Sequence, residues 1–502
     1  MTRFIPIIDL AFLWIDRPET PSNVGVLMLF DPPGDASAAT ALSEVIREYR
    51  AAPPTPPFDC VPEIPALGLP RWRTVRDADL EYHVTHERLA APGGMMELQH
   101  KVADLHRPPL DRSRPLFRLH LIDGLESGQF ALYLKSHHAS WDGRSAMARV
   151  FRSFRRDPGP ATRPFFALPP ATEAPAYSLP GDIAAGGIRS LFSQAMAVRE
   201  LFTKLGAKAA SRRRNTGGPM GNQPFGGPQT RFNLPVESER SFACFTLPLE
   251  SMRRVARAFD GKINDVVLSI VDSAAHRYLA DHGAAVREPL VAMVPVALRE
   301  EGDEEATTKA ASMFVPLGKP RSGAAVRMLD VIASTAAAKK EFDELSDEAK
   351  MDYSALAFGL WFGSHALGMD AFTRPVINLT ISNVGGLPGP FYLGRSRLTG
   401  AFPVSMIADP VGLNVTMMSV DGKMDFGIVA NRVAVPDPDR LAQHCLSAFA
   451  RLEKAAQGRT RAPGKKNKAK SGPRKKRPSA RPAAKTTAKA ARKAGRRKTS
   501  QR

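Results

Sequence analysis

Two adjacent histidines, followed by an aspartate and a glycine, are the residues of this chain whose types and spacing could do chemistry. His137 and His138 are followed at fixed spacing by Asp142 and Gly143. A neutral imidazole titrates near physiological pH, so it can take a proton from an alcohol or thiol and return it. Adjacent side chains of an extended segment point to opposite faces, so only one histidine can face a given substrate. The pattern predicts one catalytic base and one structural histidine, with Gly143 giving clearance for close approach.

The residues on either side of this motif place it between a strand and a helix. Apolar Phe130, Leu132 and Leu134 alternate with other residue types, which predicts a half-buried strand that delivers the histidines at its end. Beyond the motif, apolar side chains recur at helical spacing. These are Met147, Val150, Phe151 and Phe154. The motif is therefore predicted to form a strand-to-helix loop.

Three other interpretations of the same residues remain open at this point. The histidines could be ordinary hydrogen-bonded side chains of a loop. A metal site would need further ligands, and the upstream histidines form no compact pattern of the His-Glu-x-x-His kind. Those histidines are His83, His86, His100, His106 and His120. Finally, His137 and Asp142 have a His-x4-Asp spacing that resembles the glycerol-phosphate acyltransferase motif, although that family's Glu-Gly-Thr run is missing here.

The whole His-His-x-x-x-Asp-Gly pattern resembles the superfamily of CoA-dependent acyltransferases that includes chloramphenicol acetyltransferase and peptide-synthetase condensation domains. Further segments, in family order, resemble bacterial wax ester synthase/acyl-CoA:diacylglycerol acyltransferases. They are the opening with Asp9, Phe12 and residues 18–21, then 114–117 (Arg-Pro-Leu-Phe), 264–268 (Asn-Asp-Val-Val-Leu), 295–299 (Pro-Val-Ala-Leu-Arg) and 382–390 (Ser-Asn-Val-Gly-Gly-Leu-Pro-Gly-Pro). The resemblance covers about residues 1 to 455, everything except the C-terminal tail. Phe117 replaces the family's tryptophan, and residues 385–387 lengthen the last turn.

The resemblance implies a role for each residue of the histidine motif. His138, the second histidine, would be the general base that deprotonates a fatty alcohol or diacylglycerol hydroxyl as it attacks an acyl-CoA thioester. It would then protonate the departing CoA thiolate. His137 and Asp142 would support the loop, and Gly143 would give clearance. No bound cofactor or metal is implied, because acyl-CoA enters as a co-substrate.

The Asn-Asp pair at residues 264 and 265 is the second candidate site. By the resemblance, Asn264 is a candidate for a polar contact near the reacting carbonyl, and Asp265 for a neighbouring substrate contact. Taken alone, the pair would be interpreted as the start of a helix, since apolar residues follow it at helical spacing.

Composition restricts the class of protein. A chain of 502 residues can bury a large core, so it needs no disulfide or metal to fold. Its three cysteines, Cys60, Cys244 and Cys445, are far apart, which argues against a zinc cluster and suits a reducing cytosol. The opening residues lack the layout of a signal peptide, and no apolar run is long enough to span a bilayer. We expect a cytoplasmic protein that associates peripherally with the inner membrane or with lipid inclusions.

The charge of the chain is concentrated at one end. Residues 459–502 hold 19 of the 70 Lys and Arg residues and no Asp or Glu, so the rest of the chain is close to neutral. This segment has no aromatic residue and is rich in Ala, Pro, Gly and Ser, which predicts disorder. Such a tail can bind nucleic acid, polyphosphate or anionic lipid without reading sequence. It could equally be a solubilising extension.

We predict an α/β protein with two chloramphenicol-acetyltransferase-like domains, a crossover linker and a disordered basic C-terminal tail. The boundaries are 1–156, 157–235 for the linker, 236–456, and 457–502 for the tail. The linker is broken by Pro and Gly clusters and contains an amphipathic helix, which could bind a lipid monolayer or pack on its own domain. By the resemblance, a channel between the domains would bring the two substrates to the histidine loop from opposite ends.

Two other functions are compatible with the sequence. One is a condensation-type or polyketide-associated acyltransferase that uses a carrier-bound acyl donor. The other is a non-catalytic lipid-inclusion protein that is tethered by its basic tail.

Overall fold

Within the residues that the structure describes, the strands form two six-stranded sheets and one three-stranded sheet. The structure is a computed structural model that describes residues 3–65, 69–140, 143–160, 163–169, 226–297, 310–345, 350 and 374–461. The strands are β1 (Arg3–Phe4), β2 (Asn23–Asp31), β3 (Cys60–Glu63), β4 (Arg71–Thr74), β5 (Val84–Arg88), β6 (Phe117–Asp123), β7 (Phe130–His137), β8 (Arg240–Pro248), β9 (Val291–Ala297), β10 (Ala310–Pro316), β11 (Leu379–Leu387), β12 (Tyr392–Leu393), β13 (Ser396–Val404), β14 (Leu413–Val420) and β15 (Lys423–Asn431).

Helices cover the sheets and supply the segments that surround the histidine loop. They are α1 (Ile7–Ile15), α2 (Ala38–Ala51), α3 (Leu80–His83), α4 (Met95–His106), α5 (Gly143–Arg152), α6 (Leu249–Ala258), α7 (Ile263–Asp281), α8 (Ala324–Asp343) and α9 (Pro438–Arg461). Short 3-10 turns lie at Phe165–Ala167 and Arg231–Asn233. The strand-loop-helix order around the histidines, β7 followed by α5, is the order that the sequence predicts.

The first six-stranded sheet is completed by strands from the second half of the chain. Its order is β12-β13-β2-β7-β6-β5, and the second sheet runs β10-β9-β11-β14-β15-β8. Strand β13 runs antiparallel to β2, with Phe402 opposite Leu27. The predicted division into residues 1–156 and 236–456 does not anticipate that β13 pairs with β2. Pairing between distant segments leaves no periodic signal in the sequence. The chain forms one compact unit up to Thr460.

Strand β7, which carries the motif, lies between β2 and β6 in the first sheet and is buried at all of its positions. The expectation of a half-buried strand is therefore wrong. Phe130, Leu132 and Leu134 pack in one apolar cluster, while Ala131 and Tyr133 pack in another on the opposite face. The second cluster includes residues of α4 and of the second sheet, so that sheet covers the face that we expected to meet water.

Two predicted segments lie wholly or largely outside the described residues. Helix α9 continues to Arg461, so the predicted start of the tail at residue 457 falls inside it. Residues 462–502 and the amphipathic part of the linker are not described. Disorder of the tail, polyanion binding and lipid binding by the linker helix therefore stay predictions. In the described part of the chain, no helix is both long and apolar enough to span a membrane.

Candidate active site

His137 and His138 lie where strand β7 ends and a tight turn begins. The N–H of Ser140 donates to the carbonyl of His137 at 3.0 Å, and the N–H of His138 donates to the carbonyl of Ser22 at 2.9 Å. Because the strand stops at His137, strand alternation does not set the direction of the second ring. Both rings instead contact the chain at and just beyond the C-terminal end of α1.

The His137 ring is enclosed by protein. Its side chain has no exposed surface, and its Nδ1 accepts the N–H of Ala139 at 3.1 Å. The ring proton therefore lies on Nε2, which is 3.4 Å from Oδ2 of Asp16. The backbone N–H of His137 donates to the carbonyl of Leu116 at 3.1 Å. A ring without exposed surface cannot touch a substrate, so the geometry favours a structural role for His137.

Asp16 joins the end of α1 to the histidine turn. Its carboxylate accepts the Ser22 N–H at 2.7 Å and an Arg112 guanidinium N–H at 3.0 Å, besides its contact with His137. Arg112 also donates to the carbonyl of Leu13 on α1. Burial alone would raise the pKa of Asp16, but the bonds from His137, Ser22 and Arg112 together hold that pKa below its ordinary value. The carboxylate therefore stays ionised at physiological pH.

His138 is the member of the pair with part of its surface exposed. Its ring stacks on Phe12 of α1, with centroids 4.0 Å apart and an angle of 19° between the planes. Stacking on an aromatic ring restricts the orientation of the imidazole plane. Phe12 and Asp16 are four residues apart, so one short segment fixes both histidines.

The other predicted members of the motif are only partly visible. Asp142 lies outside the described residues, so its supporting role stays a prediction. Gly143 is the first residue of α5.

The upstream histidines bind separate partners within the protein. His83 contacts the Phe117 carbonyl at 2.8 Å and His120 contacts the Thr85 hydroxyl at 2.7 Å. Burial lowers the pKa of His83 to about 4 and that of His120 to about 3, so both rings are neutral near pH 7. Among the described residues, no three or more His, Cys, Asp or Glu side chains are grouped as metal ligands would be.

The structure places Asn264 in the first turn of α7, beside a cavity of about 350 Å³. Its Oδ1 accepts the amide N–H of Asn383 at 3.0 Å, and Oδ1 of Asn383 in turn accepts the N–H of Gly385 at 2.9 Å. A backbone N–H can only donate, so this chain of bonds fixes the orientation of both amides. The Nδ2 group of Asn264 remains as a donor that the pair does not use.

Asp265 belongs to the protein framework. One of its oxygens accepts the Lys262 N–H at 2.7 Å, and the other accepts the Thr335 hydroxyl at 2.7 Å. Its side chain is buried. The first is a helix-cap contact, the alternative that the sequence left open, and the second joins α7 to Thr335 of α8. A substrate contact by Asp265 stays a prediction.

Comparison with known sequences identifies the family. Residues 6–267 match the profile of the wax ester synthase/diacylglycerol acyltransferase catalytic domain, and residues 308–453 match that of the family's C-terminal domain. The chain belongs to this family. A probable diacylglycerol O-acyltransferase of Mycobacterium tuberculosis is 34% identical over 459 residues, which cover 89% of this chain and 98% of that protein. A second one from the same organism is 31% identical over 91% of this chain and 97% of its own length.

Solved structures agree with the family assignment and confirm the predicted fold class. The wax ester synthase/diacylglycerol acyltransferase of Marinobacter aquaeolei matches with a TM-score of 0.70 at 27% identity, over 90% of this chain and 100% of that chain. The first condensation domain of the calcium-dependent antibiotic synthetase matches with a TM-score of 0.53 at 16% identity, over 91% and 96% of the two chains. This second likeness shows the fold alone.

The segment at residues 114–117 helps to explain how this family member holds its histidines. The Leu116 carbonyl accepts both the His137 N–H and the Ser136 hydroxyl, the latter at 3.2 Å. Phe117 is buried and stacks on His83 with centroids 4.5 Å apart. Its ring packs in the core behind the motif.

Asp16, Phe12 and Arg112 are the site residues that sequence reasoning did not select. They are distant from the motif in sequence, and no local spacing connects them to it. The available signal was the opening of the chain, which resembles the family's N-terminus and contains Phe12.

Replacing Asp16 with asparagine is expected to disturb the histidine turn without touching the substrates. The amide keeps the shape of the carboxylate but loses the charge that pairs with Arg112, and its NH2 group competes for the contact with His137. We expect kcat to fall by about tenfold or more with an unchanged KM for acyl-CoA, because small displacements of a reacting group slow transfer. Initial rates at varied acyl-CoA measure this. Asp77→Asn, at an exposed loop position, is the matched control. Wild-type kcat in Asp16→Asn would refute the positioning role.

Proposed function

We propose that this chain transfers a fatty acyl group from acyl-CoA to the hydroxyl of a long-chain alcohol or of diacylglycerol, with His138 as the general base. The observation that carries the proposal is the partly exposed His138 ring, held by Phe12 beside an enclosed His137. Membership of the wax ester synthase/diacylglycerol acyltransferase family supports both the donor and the two acceptor classes.

The proposed reaction is a direct transfer. The imidazole of His138 accepts the hydroxyl proton while the alcohol oxygen attacks the thioester carbonyl. The carbon–sulfur bond then breaks, the ester is complete, and the CoA thiolate takes the proton from His138. A positioned general base of this kind is worth about a hundred- to ten-thousandfold in rate. Atoms and charges balance without any other reactant.

The cysteines support a path without an acyl-enzyme. A thiol attacks as its thiolate, and burial raises the pKa of Cys244 and of Cys445 to about 12. Cys60 is buried as well. None of the three therefore has the environment of an activated nucleophile.

Transfer from acyl-CoA is tested with an acceptor panel. Wild-type protein is incubated with a long-chain acyl-CoA and either a long-chain alcohol or diacylglycerol, and ester and free CoA are measured together. We expect equal amounts of both products with at least one acceptor. Turnover only of an acyl chain on a carrier protein would support a condensation-type enzyme instead, and no ester from any donor would support a non-catalytic lipid-inclusion protein.

We further propose that the chain works at the surface of a membrane or lipid inclusion, because its acceptors are apolar. Trp14 supports this, since its side chain is 65% exposed on the apolar helix α1, which also carries Phe12. Flotation with lipid vesicles measures the association. We expect the wild type to float with the vesicles and Trp14→Ser to float less; equal flotation would remove this support.

A further inference from the structure

The cavity beside Asn264 has a distinct chemical character. Its lining contains two basic side chains, Arg253 and Lys262, and no acidic one. Amide and hydroxyl groups of Asn264, Asn383 and Ser419 complete its polar part. A volume of about 350 Å³ falls within the range of small-molecule sites in proteins.

A bulge in strand β11 shapes one wall of this cavity. The pairing of β11 with β14 shifts register between Asn383 and Gly386. Gly385 has a φ of +89°, in the left-handed region that favours glycine. A Cβ on Gly386 would lie 1.8 Å from the hydroxyl oxygen of Ser419, so a side chain there does not fit. The two glycines that lengthen the family's turn therefore form this wall.

The bulge lies next to the helix that follows the histidine motif. Strand β11 contacts α5, and Val384, in the middle of the bulge, packs against the apolar cluster that includes Ala146 of α5. Strand β11, which forms this wall of the cavity, thus also contacts the helix that follows the histidine motif.

The two cations of the cavity differ in their pairing, because Arg253 shares the Glu250 carboxylate with Arg257. The carboxylate of Glu250 lies 2.6 Å from Arg257 but 3.6 Å from Arg253, whose side chain is 50% exposed. Lys262 is exposed, and within the described ranges no carboxylate lies within ion-pair distance of its ammonium group. Two basic groups at one cavity create a positive potential that attracts an anion.

We propose that this cavity binds the phosphate-bearing part of the acyl-CoA donor, with Arg253 and Lys262 contacting its phosphates. The amides of Asn264 and Asn383 face the amide groups of the pantetheine arm. A long-chain alcohol and diacylglycerol carry no charge, so two cations complement only the donor. The inference rests on the proposed function and adds to it the residues that select the donor.

The test compares donors with and without phosphates. In the double variant Arg253→Ala/Lys262→Ala, we expect KM for acyl-CoA to rise at least about tenfold, because charge-assisted contacts to phosphate are lost. KM for the same acyl chain on N-acetylcysteamine, which has no phosphate, should stay unchanged, as should kcat. Arg254→Ala is the matched control, since Arg254 lies on the same helix and does not line the cavity. An equal change in KM for both donors, or no change for acyl-CoA, would overturn the proposal.

Calorimetric titration with free CoA, in the absence of acceptor, separates this inference from the proposed function. We expect wild type and Arg254→Ala to bind CoA, and the double variant to bind it at least about tenfold more weakly. Affinity in the wild type should also fall with added salt, because ionic contacts are screened. Equal CoA affinity in all three proteins refutes the phosphate site even where ester formation proceeds normally. Weaker CoA binding in the double variant supports the site, whatever the acceptor panel shows.

Discussion

His138→Ala is expected to slow ester formation from acyl-CoA by about a hundred- to ten-thousandfold. An alcohol is a poor nucleophile at neutral pH, and the variant has no group at this position to take its proton. KM for acyl-CoA should change little, because the proposed phosphate contacts lie elsewhere. Initial rates with saturating acceptor measure the loss.

His100→Gln is the matched control for this variant, because His100 is exposed on α4, away from the catalytic turn. It should retain wild-type activity. The stacking of His138 on Phe12 is also lost in the variant, so thermal unfolding of both proteins is compared. A folded His138→Ala protein with wild-type rates would show that another group is the base.

Gly427→Ala, which adds a methyl group at the glycine of β15, is expected to lower the stability of the protein. Gly427 lies where β15 of the second sheet meets β13 of the first, and a Cβ there would lie 1.7 Å from the carbonyl oxygen of Pro403. Backbone atoms cannot rotate away, so the two sheets must separate locally. Overpacking of this kind costs about 1–3 kcal/mol, occasionally more. Urea unfolding followed by circular dichroism measures the change.

Gly458→Ala provides the same chemical change in open space, since no atom beyond the neighbouring backbone of its own helix lies within 4 Å of the added Cβ. It lies in α9, where alanine favours the helix by up to about 1 kcal/mol relative to glycine. We therefore expect its unfolding midpoint to be unchanged or raised. A Gly427→Ala protein as stable as this control would contradict the close contact between the sheets.

His138 and Gly427 also show what the sequence could and could not predict. The strand-loop-helix around His138 followed from local periodicity, because β7 and α5 are each continuous in sequence. The contact at Gly427 depends on β13 crossing into the first sheet, and no local pattern reports such a pairing. Burial of β7 on both faces likewise depends on distant segments, because α4 and the second sheet cover its second face.

The residues of the candidate site likewise include some that the sequence could predict and some that it could not. The two histidines and Gly143 were selectable because their types and spacing have chemical meaning, and Asn264 was selectable through the family resemblance. Asp16 and Arg112 were not, since their link to His137 exists only once α1 and the segment before β6 meet at the end of β7. The orientation of the Asn264 amide likewise depends on Asn383, a residue of a distant strand.

In the proposed reaction, His138 drives direct transfer from acyl-CoA to a hydroxyl. Single-turnover quenching with acyl-labelled CoA tests it most directly, with wild type and His138→Ala each mixed with acyl-CoA in the presence and absence of diacylglycerol or a long-chain alcohol. We expect labelled ester to form rapidly in the wild type only when acceptor is present, and no label to stay on the protein without acceptor. His138→Ala should form almost no ester. Label covalently bound to wild-type protein in the absence of acceptor, or rapid ester formation by His138→Ala, would contradict the proposed reaction.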